Sequence, residues 1–272
     1  MKLSIITINY NDVDGLKRTI DSVISQTFRD YEWIVVDGGS SDGSRELIDY
    51  NSRMFSYWVS ELDTGIYNAM NKGIDHANGD WLLFLNSGDW LYADDVLDRV
   101  FSKEYCSDVL YGDVMYHWPD ARGMELEQKP DNISLYYFYE HTLCHQSTFY
   151  KKEIFANHRY KEDYKICSDW ALFIRLVIEG YTFEHLPFCI SNFNQNGISS
   201  HLTLEHIAER KRVFVENIPP HIMLDIEELR KQELNRIYIQ SHKSFQAIMT
   251  RAEKRIARMD KIVRFIEKTR NK

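Results

Sequence analysis

The chain has 272 residues, of which 44% are hydrophobic and 27% are charged, so it is long enough for one large folded domain, or for one domain and an appendage. No stretch contains the roughly 18 apolar residues that a membrane-spanning helix needs, and the N-terminal apolar run is too short for a signal peptide. The four cysteines are far apart and show no CxxC spacing, which argues against a zinc knuckle or a disulfide framework and predicts reduced thiols in a cytoplasmic protein.

The formal net charge of −8 is unevenly distributed along the chain. Residues 242–272 contain ten Lys or Arg and three Asp or Glu, a net charge of +7, so residues 1–241 carry −15. A strongly acidic body argues against general binding of nucleic acids, which are polyanions. A basic tail on an acidic body predicts separate roles for the two parts.

Strand-like and helical patterns alternate over the first hundred residues. The strand-like runs are rich in apolar residues and read KLSIITI, YEWIVVD, MFSYWVS and WLLFL. Apolar residues recur at helical, three-to-four spacing between the first two runs, at Leu16, Ile20, Val23 and Ile24. A short helix is predicted after Ser41 or Asp42, and a longer one over residues 64–77. This alternation, with nearly continuous apolar strands, predicts a parallel sheet covered by helices on both faces.

Polar residues stand at the carboxyl ends of these strands, or a few residues beyond. They are Asn9, Tyr10, Asp37, Asp63 and Asp89. Because open parallel sheets bind their ligands at this edge, we expect these side chains to line a crevice. Gly88, directly before the last carboxylate, lets the backbone turn sharply or approach a ligand closely. The alternative is a series of ordinary turns, but their recurrence at successive strand ends favours a site.

Carboxylates beside a glycine suit a divalent cation that also binds phosphates. Mg²⁺ and Mn²⁺ take one or two carboxylates and complete their coordination with phosphate oxygens and water. Such an ion stabilises a departing diphosphate as a Lewis acid. The Asp37 carboxylate, at the end of the second strand, can accept hydrogen bonds from a ribose or a base.

The middle of the chain, residues 105–200, is less regular. SDVLYGDVMYHW predicts a strand, HQSTFYKKEIF a strand and a short helix, and YTFEHLPFCISNF further strands. CSDWALFIRLVIEGY predicts a strong helix that begins at Ser168 or Asp169 and ends at Gly180. From residue 201 onward the pattern is helical and charged, with an interruption at Pro219 and Pro220.

Several segments, in order along residues 1–200, resemble the family 2 glycosyltransferases, which are inverting enzymes of the GT-A fold. The segments are SIITINYN, QTFRDYEWIVVDGGSSDGS, DTGIYNAMNKGI, FLNSGDWL, HQSTFYKKEIF and SDWALFIRL. The resemblance implies an α/β fold with a Rossmann-like, mostly parallel sheet covered by helices, followed here by a helical C-terminal extension. It also implies a nucleotide-sugar-binding half at 1–104, an acceptor-binding half at 105–217 and the extension at 218–272.

The resemblance also implies a role for each matching residue. Asn9, Tyr10 and Asp37 would hold the base and the ribose of the nucleotide, and Asp63 would help to shape that pocket. Asp89 would be the metal-binding carboxylate of a DxD-like segment, with Mn²⁺ or Mg²⁺ as the ion. Together these roles describe a site for a nucleoside diphosphate sugar.

Asp169 would be the general base that removes the proton of the acceptor hydroxyl. Inverting transfer needs a carboxylate on the side of the sugar opposite the leaving group, and a helix N-terminus stabilises negative charge. A helix cap is the alternative role for Asp169. His145 is explained equally well as a core or supporting residue and as an acceptor contact. Trp90 and Trp170 are explained equally well as sugar-stacking and as packed aromatics.

The chain departs from the family pattern at two places. Many relatives have aspartates where this chain has Asn86 and Gly88, so we expect weaker metal binding or another ligand. His201 is a candidate for that ligand, with an exposed loop histidine as the alternative. Many relatives also have an arginine where this chain has Met70, and Lys72 is the candidate to supply the positive charge instead.

The basic tail has the pattern of an amphipathic helix. Its apolar residues recur at three-to-four spacing, at Phe245, Ile248, Ala252, Ile256, Met259, Val263 and Ile266. A basic amphipathic helix is typical of binding to a membrane surface. Packing of the tail on the acidic body, or on a second subunit, explains the pattern equally well.

These observations predict a cytoplasmic, metal-dependent, inverting glycosyltransferase, peripheral to the membrane if the tail binds there. It would transfer a hexosyl or N-acetylhexosaminyl group, from a UDP-sugar in preference, to a hydroxyl of a growing glycan or lipid-linked glycan. One alternative is a sugar-nucleotide nucleotidyltransferase, but the glycine-rich phosphate loop usual in that class is missing from NYNDVDGLKR. A non-catalytic subunit of glycan assembly is the other. The sequence leaves the sugar, the acceptor and the oligomeric state open, and predicts no nucleic-acid partner.

Overall fold

The computed structural model of the protein describes residues 1–118, 122–195, 203–241 and 243. Contacts divide the chain into two units, one formed by residues 1–218 and one that begins at Pro219. The division of the first unit into a nucleotide-sugar half and an acceptor half stays a prediction.

The described part of the first unit contains nine strands, eight α-helices and two short 3₁₀ turns. The strands are β1 (Leu3–Asn9), β2 (Tyr31–Asp37), β3 (Tyr57–Ser60), β4 (Trp81–Phe84), β5 (Trp90–Leu91), β6 (Val109–His117), β7 (Met124–Glu127), β8 (Thr148–Lys151) and β9 (Phe183–Asn194). The helices are α1 (Val13–Ile24), α2 (Ser44–Tyr50), α3 (Ile66–His76), α4 (Val96–Val100), α5 (Leu135–Glu140), α6 (Ile154–Asn157), α7 (Ser168–Ile178) and α8 (Leu204–Asn217). The 3₁₀ turns are Ser52–Met54 and His145–Ser147.

The strands form one sheet in the order β3-β2-β1-β4-β8-β6-β9-β5, with β7 paired to β6. β3, β2, β1 and β4 are parallel to one another, and β6 is parallel to β9. β8 lies antiparallel between β4 and β6. The mostly parallel sheet predicted from the alternation of strands and helices is confirmed, and the antiparallel strand in its middle is a feature that the apolar pattern of β8 does not reveal.

The central strands are buried because helices cover both faces of the sheet. Every residue of β1 and β4 is buried, and α3 packs on β1 and β2. α3 approaches β1 closely at Gly73, where a Cβ atom would collide with the Cγ2 atom of Ile6. Met70, on the same helix, is fully buried. Its apolar side chain is part of the core and therefore does not replace the arginine that many relatives have at this position.

The second unit is helical over residues 220–241. Its first turn is closed by hydrogen bonds from the backbone N–H groups of Ile222 and Met223 to the carbonyl oxygen of Pro219. The predicted amphipathic tail, residues 242–272, lies outside the described residues apart from position 243. In the part of the chain that is described, no helix is both long enough and apolar enough to cross a membrane.

Candidate functional site

Asn9 and Asp37 meet at the carboxyl ends of β1 and β2, where they are paired in register. The Asn9 Nδ2 group donates a hydrogen bond of 2.7 Å to Asp37 Oδ1. The Ser40 hydroxyl donates to the same oxygen at 2.5 Å. Asp37 Oδ2 accepts hydrogen bonds from the Ser40 backbone N–H at 3.0 Å and from the Ser60 hydroxyl at 2.6 Å. Burial disfavours the charged form of Asp37, but these donors outweigh it and hold its pKa below the usual range. The site therefore presents a fixed carboxylate.

Tyr10 and Asp63 flank Gly38, directly after β2. A Cβ atom at Gly38 would lie 2.7 Å from Asp63 Oδ2 and 3.2 Å from Tyr10 Cδ2. The absence of a side chain at this glycine lets both groups close over the strand end. The Tyr10 ring is 66% exposed, and the Oδ1 atom of Asn9 is buried without a hydrogen-bond partner among the described residues. An exposed ring and a vacant buried acceptor are suited to a flat, hydrogen-bonding ligand.

Lys72 lies on α3 and is already engaged. Its ammonium group forms an ion pair of 2.6 Å with Glu61 and lies 3.5 Å from the carbonyl oxygen of Leu62. This contact places the lysine beside the segment that leads to Asp63, but its charge is matched by Glu61. It can reach a phosphate only by exchanging that partner.

Asp89 follows β4 at the end of a tight turn. Gly88 has a φ of +90°, in the left-handed region that favours glycine, and the Thr19 hydroxyl of α1 holds the Asp89 carbonyl oxygen at 2.7 Å. The Asp89 side chain is buried, and no described side chain donates a hydrogen bond to its carboxylate. Burial raises the pKa of Asp89 to about 7, the neighbouring Asp12 carboxylate adds to the rise, and His145 opposes it. A cation bound nearby would therefore stabilise the ionised form of Asp89.

Two further oxygen donors lie around the same turn. Asp12, at the N-terminus of α1, accepts the Ser87 hydroxyl at 3.3 Å, and a Cβ atom at Gly88 would lie 3.2 Å from Asp12 Oδ2. Asn86 Oδ1 is buried without a hydrogen-bond partner in the described part of the chain. Within that part, no three His, Cys, Asp or Glu residues are grouped so as to hold a metal ion by themselves. The oxygen donors around Asp89 fit a divalent ion that takes its remaining ligands from phosphate and water.

His145 links this turn to the predicted base. It begins the 3₁₀ turn before β8, with Nε2 at 3.0 Å from Asn86 Nδ2 and Nδ1 at 3.3 Å from Asp169 Oδ2. With this amide orientation Asn86 donates to Nε2, so the ring proton lies on Nδ1 and is donated to Asp169. Burial disfavours protonation of His145, but the carboxylates of Asp169 and Asp89 outweigh burial and raise its pKa.

Asp169 lies in the first turn of α7, one position after Ser168. Its Oδ1 atom accepts the Tyr67 hydroxyl at 3.2 Å and the backbone N–H of Trp170 at 2.8 Å. The N-cap position belongs to Cys167, whose side chain makes no capping hydrogen bond. Asp169 is therefore not the cap residue of α7, although it satisfies one backbone group of the first turn. Both of its oxygens are oriented by neighbours from other elements, α3 and the His145 turn.

Glu209 on α8 supports the start of α7. Its carboxylate accepts the backbone N–H groups of Lys165 at 2.6 Å and of both Ile166 and Cys167 at 2.7 Å. These N–H groups belong to the loop before α7 and to its N-cap residue, Cys167, and buried backbone N–H groups need an acceptor. Glu209 supplies it from another helix, so α8 fixes the loop that leads to Asp169.

A cavity of about 260 Å³ opens beside Asp169. Its wall is partly aromatic and partly polar, and consists of Tyr116, Thr142, Leu143, Cys144, His145, Gln146, Ile166, Cys167, Asp169, Trp170, Phe193, Gln195, His206 and Arg210. Trp170 is packed rather than presented, because it is 4% exposed and its indole N–H donates to the Phe138 carbonyl oxygen at 2.9 Å. A larger open cleft of about 610 Å³ lies at the opposite, amino ends of the strands, near Lys2 and Trp81, and contains none of the candidate residues.

Residues 4–178 match the model of a family described as Glycosyl transferase family 2. The chain belongs to this family. The protein is therefore a glycosyltransferase, as the sequence predicted. An uncharacterized glycosyltransferase of Mycobacterium tuberculosis is 35% identical over 209 residues, which cover 73% of this chain and 77% of the relative. A PGL/p-HBAD biosynthesis glycosyltransferase of Mycobacterium bovis BCG is 29% identical over 238 residues, covering 82% of this chain and 86% of that protein.

Two solved structures share the fold. Residues 1–349 of Staphylococcus aureus TarS, in complex with UDP-GlcNAc, superpose with a TM-score of 0.65 at 19% identity, covering 79% of this chain and 66% of that one. The mannosyltransferase PcManGT from Pyrobaculum calidifontis, in complex with GDP-Man and Mn²⁺, gives a TM-score of 0.52 at 16% identity, covering 71% of this chain and 56% of that one. Both likenesses bear on the fold alone, and they confirm the predicted GT-A architecture.

The structure brings most of the candidate residues to one edge of the sheet. Asn9 and Asp37 are in direct contact, Tyr10 and Asp63 close over the same strand end, and His145 interacts with both Asp89 and Asp169. His201, the candidate additional metal ligand, lies outside the described residues. Residues of the site that were not singled out from the sequence include Asp12, Tyr67, Glu209 and Arg210.

Proposed function

We propose that this glycosyltransferase moves a sugar from a nucleoside diphosphate sugar to an acceptor hydroxyl with inversion at the anomeric carbon, and that Asp169 is the general base. One observation carries the proposal. His145 contacts Asp169 with one ring nitrogen and Asn86 of the Asp89 turn with the other. The proposed base and the Asp89 turn thus share one histidine, so an acceptor in the cavity would lie next to a sugar bound at that turn.

The donor would be held at the ends of β1 and β2. Asp37 supplies an ionised acceptor for ribose hydroxyls, Tyr10 a ring face for the base, and Asn9 a vacant carbonyl oxygen for a base N–H group. Asp63, which lies beside Gly38 as Tyr10 does, would help to shape the pocket, and Lys72 would exchange Glu61 for a phosphate. The UDP-GlcNAc bound by TarS favours a UDP-sugar, while the GDP-Man bound by PcManGT keeps a guanine nucleotide as the alternative.

A divalent ion, Mn²⁺ or Mg²⁺, would be held by Asp89 with help from Asn86 or Asp12. The Mn²⁺ in the PcManGT complex supports this choice, and so does the buried Asp89 carboxylate, which lacks a described hydrogen-bond donor. When bound, the ion would neutralise charge on the leaving diphosphate. His201 remains a candidate for a further ligand.

Asp169 would receive the proton of the acceptor hydroxyl as that oxygen attacks the anomeric carbon. The bond from the anomeric carbon to the phosphate oxygen breaks, and the nucleoside diphosphate leaves with the electron pair. The Asp169 carboxylate is aimed by three donors, from Tyr67, the Trp170 backbone and His145. A base held this firmly loses little orientational freedom when the acceptor arrives.

The biological acceptor would be a growing glycan or a lipid-linked glycan, since one relative is named for the biosynthesis of PGL/p-HBAD. A cytoplasmic location, peripheral binding to a membrane and association into a homo-oligomer go with this proposal and depend on the tail. Family membership sets aside the nucleotidyltransferase. A non-catalytic subunit remains the competing function, because only one aspartate stands in the DxD-like segment.

Hydrolysis of the donor tests the proposal without a known acceptor, because water can replace the acceptor hydroxyl. UDP-glucose, UDP-galactose, UDP-N-acetylglucosamine and GDP-mannose would each be incubated with the protein and Mn²⁺, and the first sugar released would be observed by proton NMR. We expect one nucleotide sugar to be hydrolysed, with the β-anomer appearing before mutarotation. Release of the α-anomer first would refute inversion. Absence of both binding and hydrolysis for every donor would favour the non-catalytic subunit.

A further inference from the structure

Arg210 brings a positive charge into the cavity beside Asp169. Its guanidinium carbon lies 4.3 Å from the centre of the Trp170 ring, in a cation–π contact. No described residue forms an ion pair with Arg210 or accepts a hydrogen bond from its guanidinium group. A stacked guanidinium uses its face, whereas its five N–H donors point outward in the plane. Arg210 thus has its donors available toward the cavity.

The acidic residues of α8 near Arg210 are engaged elsewhere. Glu209 faces the start of α7, where three backbone N–H groups hold it. Glu205 pairs with Lys165 at 2.7 Å. Asp169 is on the same cavity wall, but its carboxylate accepts hydrogen bonds from Tyr67 and His145. The charge of Arg210 therefore lacks a matched carboxylate in the described part of the chain.

The rest of the wall suits a sugar that bears an acidic group. Tyr116 and Phe193 supply aromatic faces, Gln195 supplies an amide, and His206 lies one helical turn before Arg210 on α8. The volume of about 260 Å³ is just below the range of about 300–1,000 Å³ for pockets that enclose drug-sized ligands. The cavity has the size for one sugar residue and the charge for one anion.

We propose that the cavity is an acceptor subsite for an anionic sugar, in which Arg210 binds a carboxylate or a phosphate carried by the acceptor. This inference rests on the proposed function, because it assigns the cavity to the acceptor. Arginine matches both anions with two parallel hydrogen bonds, and such charge-assisted pairs are stronger than neutral ones. The anion would anchor the acceptor while one of its hydroxyl groups faces Asp169.

The test measures binding directly, so that it does not depend on transfer. Ligand-observed NMR would give the affinity of the full-length protein, saturated with UDP and Mn²⁺, for methyl glucoside, methyl glucuronide and methyl glucoside 6-phosphate. The same three forms of methyl galactoside would be included, and inorganic phosphate alone. The carboxylate and phosphate arms distinguish the two kinds of acceptor, and saturating UDP keeps the anions out of the nucleotide site.

We expect the preferred anionic sugar to bind about 10- to 100-fold more tightly than its neutral parent, the usual range for hydrogen bonds to a charged group. Arg210→Gln should remove this preference. Arg210→Lys should restore part of it, because it keeps the charge without the planar fork. Lys211→Gln is the matched control: it removes the same charge from the neighbouring, exposed position of α8 and should leave the preference intact.

Equal affinity for charged and neutral sugars, including no measurable binding by any of them, would overturn the proposal. So would an equal effect of Arg210→Gln and Lys211→Gln. Binding of inorganic phosphate as tight as that of the sugar phosphate would overturn the acceptor assignment and identify a phosphate site. These failures are distinct from failure of the proposed function, which the donor-hydrolysis assay reports separately.

Discussion

His145 donates its Nδ1 proton to Asp169 across 3.3 Å, and its other ring nitrogen lies 3.0 Å from the side chain of Asn86. Asp169 lies on the wall of the cavity that we propose for the acceptor, and Asn86 lies in the turn that carries Asp89. One imidazole thus sets the distance between the proposed base and the proposed diphosphate site. Residues that orient a reacting group in this way act on the rate of the chemical step more than on binding.

Replacing His145 with alanine should lower kcat by about 10- to 100-fold, the range seen when a group that orients an active-site ligand is removed, with little change in the donor KM. His145→Asn should retain more activity, because its Nδ2 group can take the place of the ring Nδ1 donor. Steady-state kinetics on both variants measures this. His141→Ala, at an exposed position four residues earlier, is the matched control. Equal loss in the alanine and asparagine variants would contradict an orienting hydrogen bond.

The alternating half of the fold is predictable from the sequence because each strand carries its own signal. β1, β2 and β4 are almost entirely buried, so their sequences are nearly continuous in apolar residues, and Leu16, Ile20 and Val23 mark the buried side of α1. The direction of β8 has no such signal, because parallel and antiparallel strands have the same apolar pattern when both faces are covered. The segment YTFEHLPFCISNF predicts further strands, whereas the structure has one strand, β9, which continues through an irregularity in its pairing with β6.

The site was predictable where it depends on strand ends, and not where it depends on contacts between distant segments. Asn9, Asp37 and Asp89 follow directly from the position of β1, β2 and β4. Glu209 is more than forty residues from the loop that it caps, and nothing near it in the sequence points to that loop. Asp12 resembles an ordinary helix cap, and it does cap α1 through a hydrogen bond of 3.1 Å from Gly15, although its other oxygen faces the Asp89 turn.

Glu209 should be important both for stability and for catalysis. Glu209→Ala leaves three backbone N–H groups of the loop before α7 without their acceptor, at a cost of about 1–3 kcal/mol for each group that water cannot reach. We expect a clear fall in melting temperature together with a lower kcat, because the freed loop leads directly to Asp169. Glu205→Ala removes only an exposed pair with Lys165, worth about 0–1 kcal/mol. Similar melting temperatures for the two variants would refute the capping role.

Asp89 should destabilise the metal-free protein when it is ionised. Its pKa is raised to about 7 by burial first and by Asp12 second, whereas an aspartate in the unfolded chain titrates near 3.9. The folded protein therefore keeps a proton that the unfolded chain releases, and the contribution of Asp89 to stability falls as the pH rises from about 4 to about 7. The full shift corresponds to at most about 4 kcal/mol.

Asp89→Asn should accordingly raise the melting temperature in EDTA, by an amount that grows between pH 4 and 7 and is constant above pH 7. The same variant should lose the Mn²⁺-dependent part of donor affinity. Thermal melts at pH 5, 6, 7 and 8 and calorimetry with UDP measure the two effects. Asp95→Asn, an exposed aspartate before α4, is the control. A constant loss of stability at every pH would contradict the raised pKa of Asp89, and unchanged Mn²⁺-dependent donor affinity would remove Asp89 from the proposed metal site.

Asp169→Asn distinguishes a catalytic carboxylate from one that only supports the start of α7. Asparagine has nearly the same shape, and its side-chain oxygen can still accept the hydrogen bonds from Tyr67 and from the Trp170 backbone. It cannot take a proton from an acceptor. Ser168→Ala changes the adjacent position of α7 and removes a hydroxyl that is buried without a partner among the described residues, so it is the control for disturbance of the helix start.

The most direct measurement is kcat for Asp169→Asn, with melting temperature and donor affinity determined on the same preparation. General-base catalysis contributes about 10²–10⁴-fold, and the interaction belongs to the transition state. We therefore predict a loss of kcat in that range, a donor affinity like that of the wild type and a melting temperature close to that of Ser168→Ala. A folded Asp169→Asn protein with near-normal kcat would contradict the account, because the proton of the acceptor would then have to go to another group.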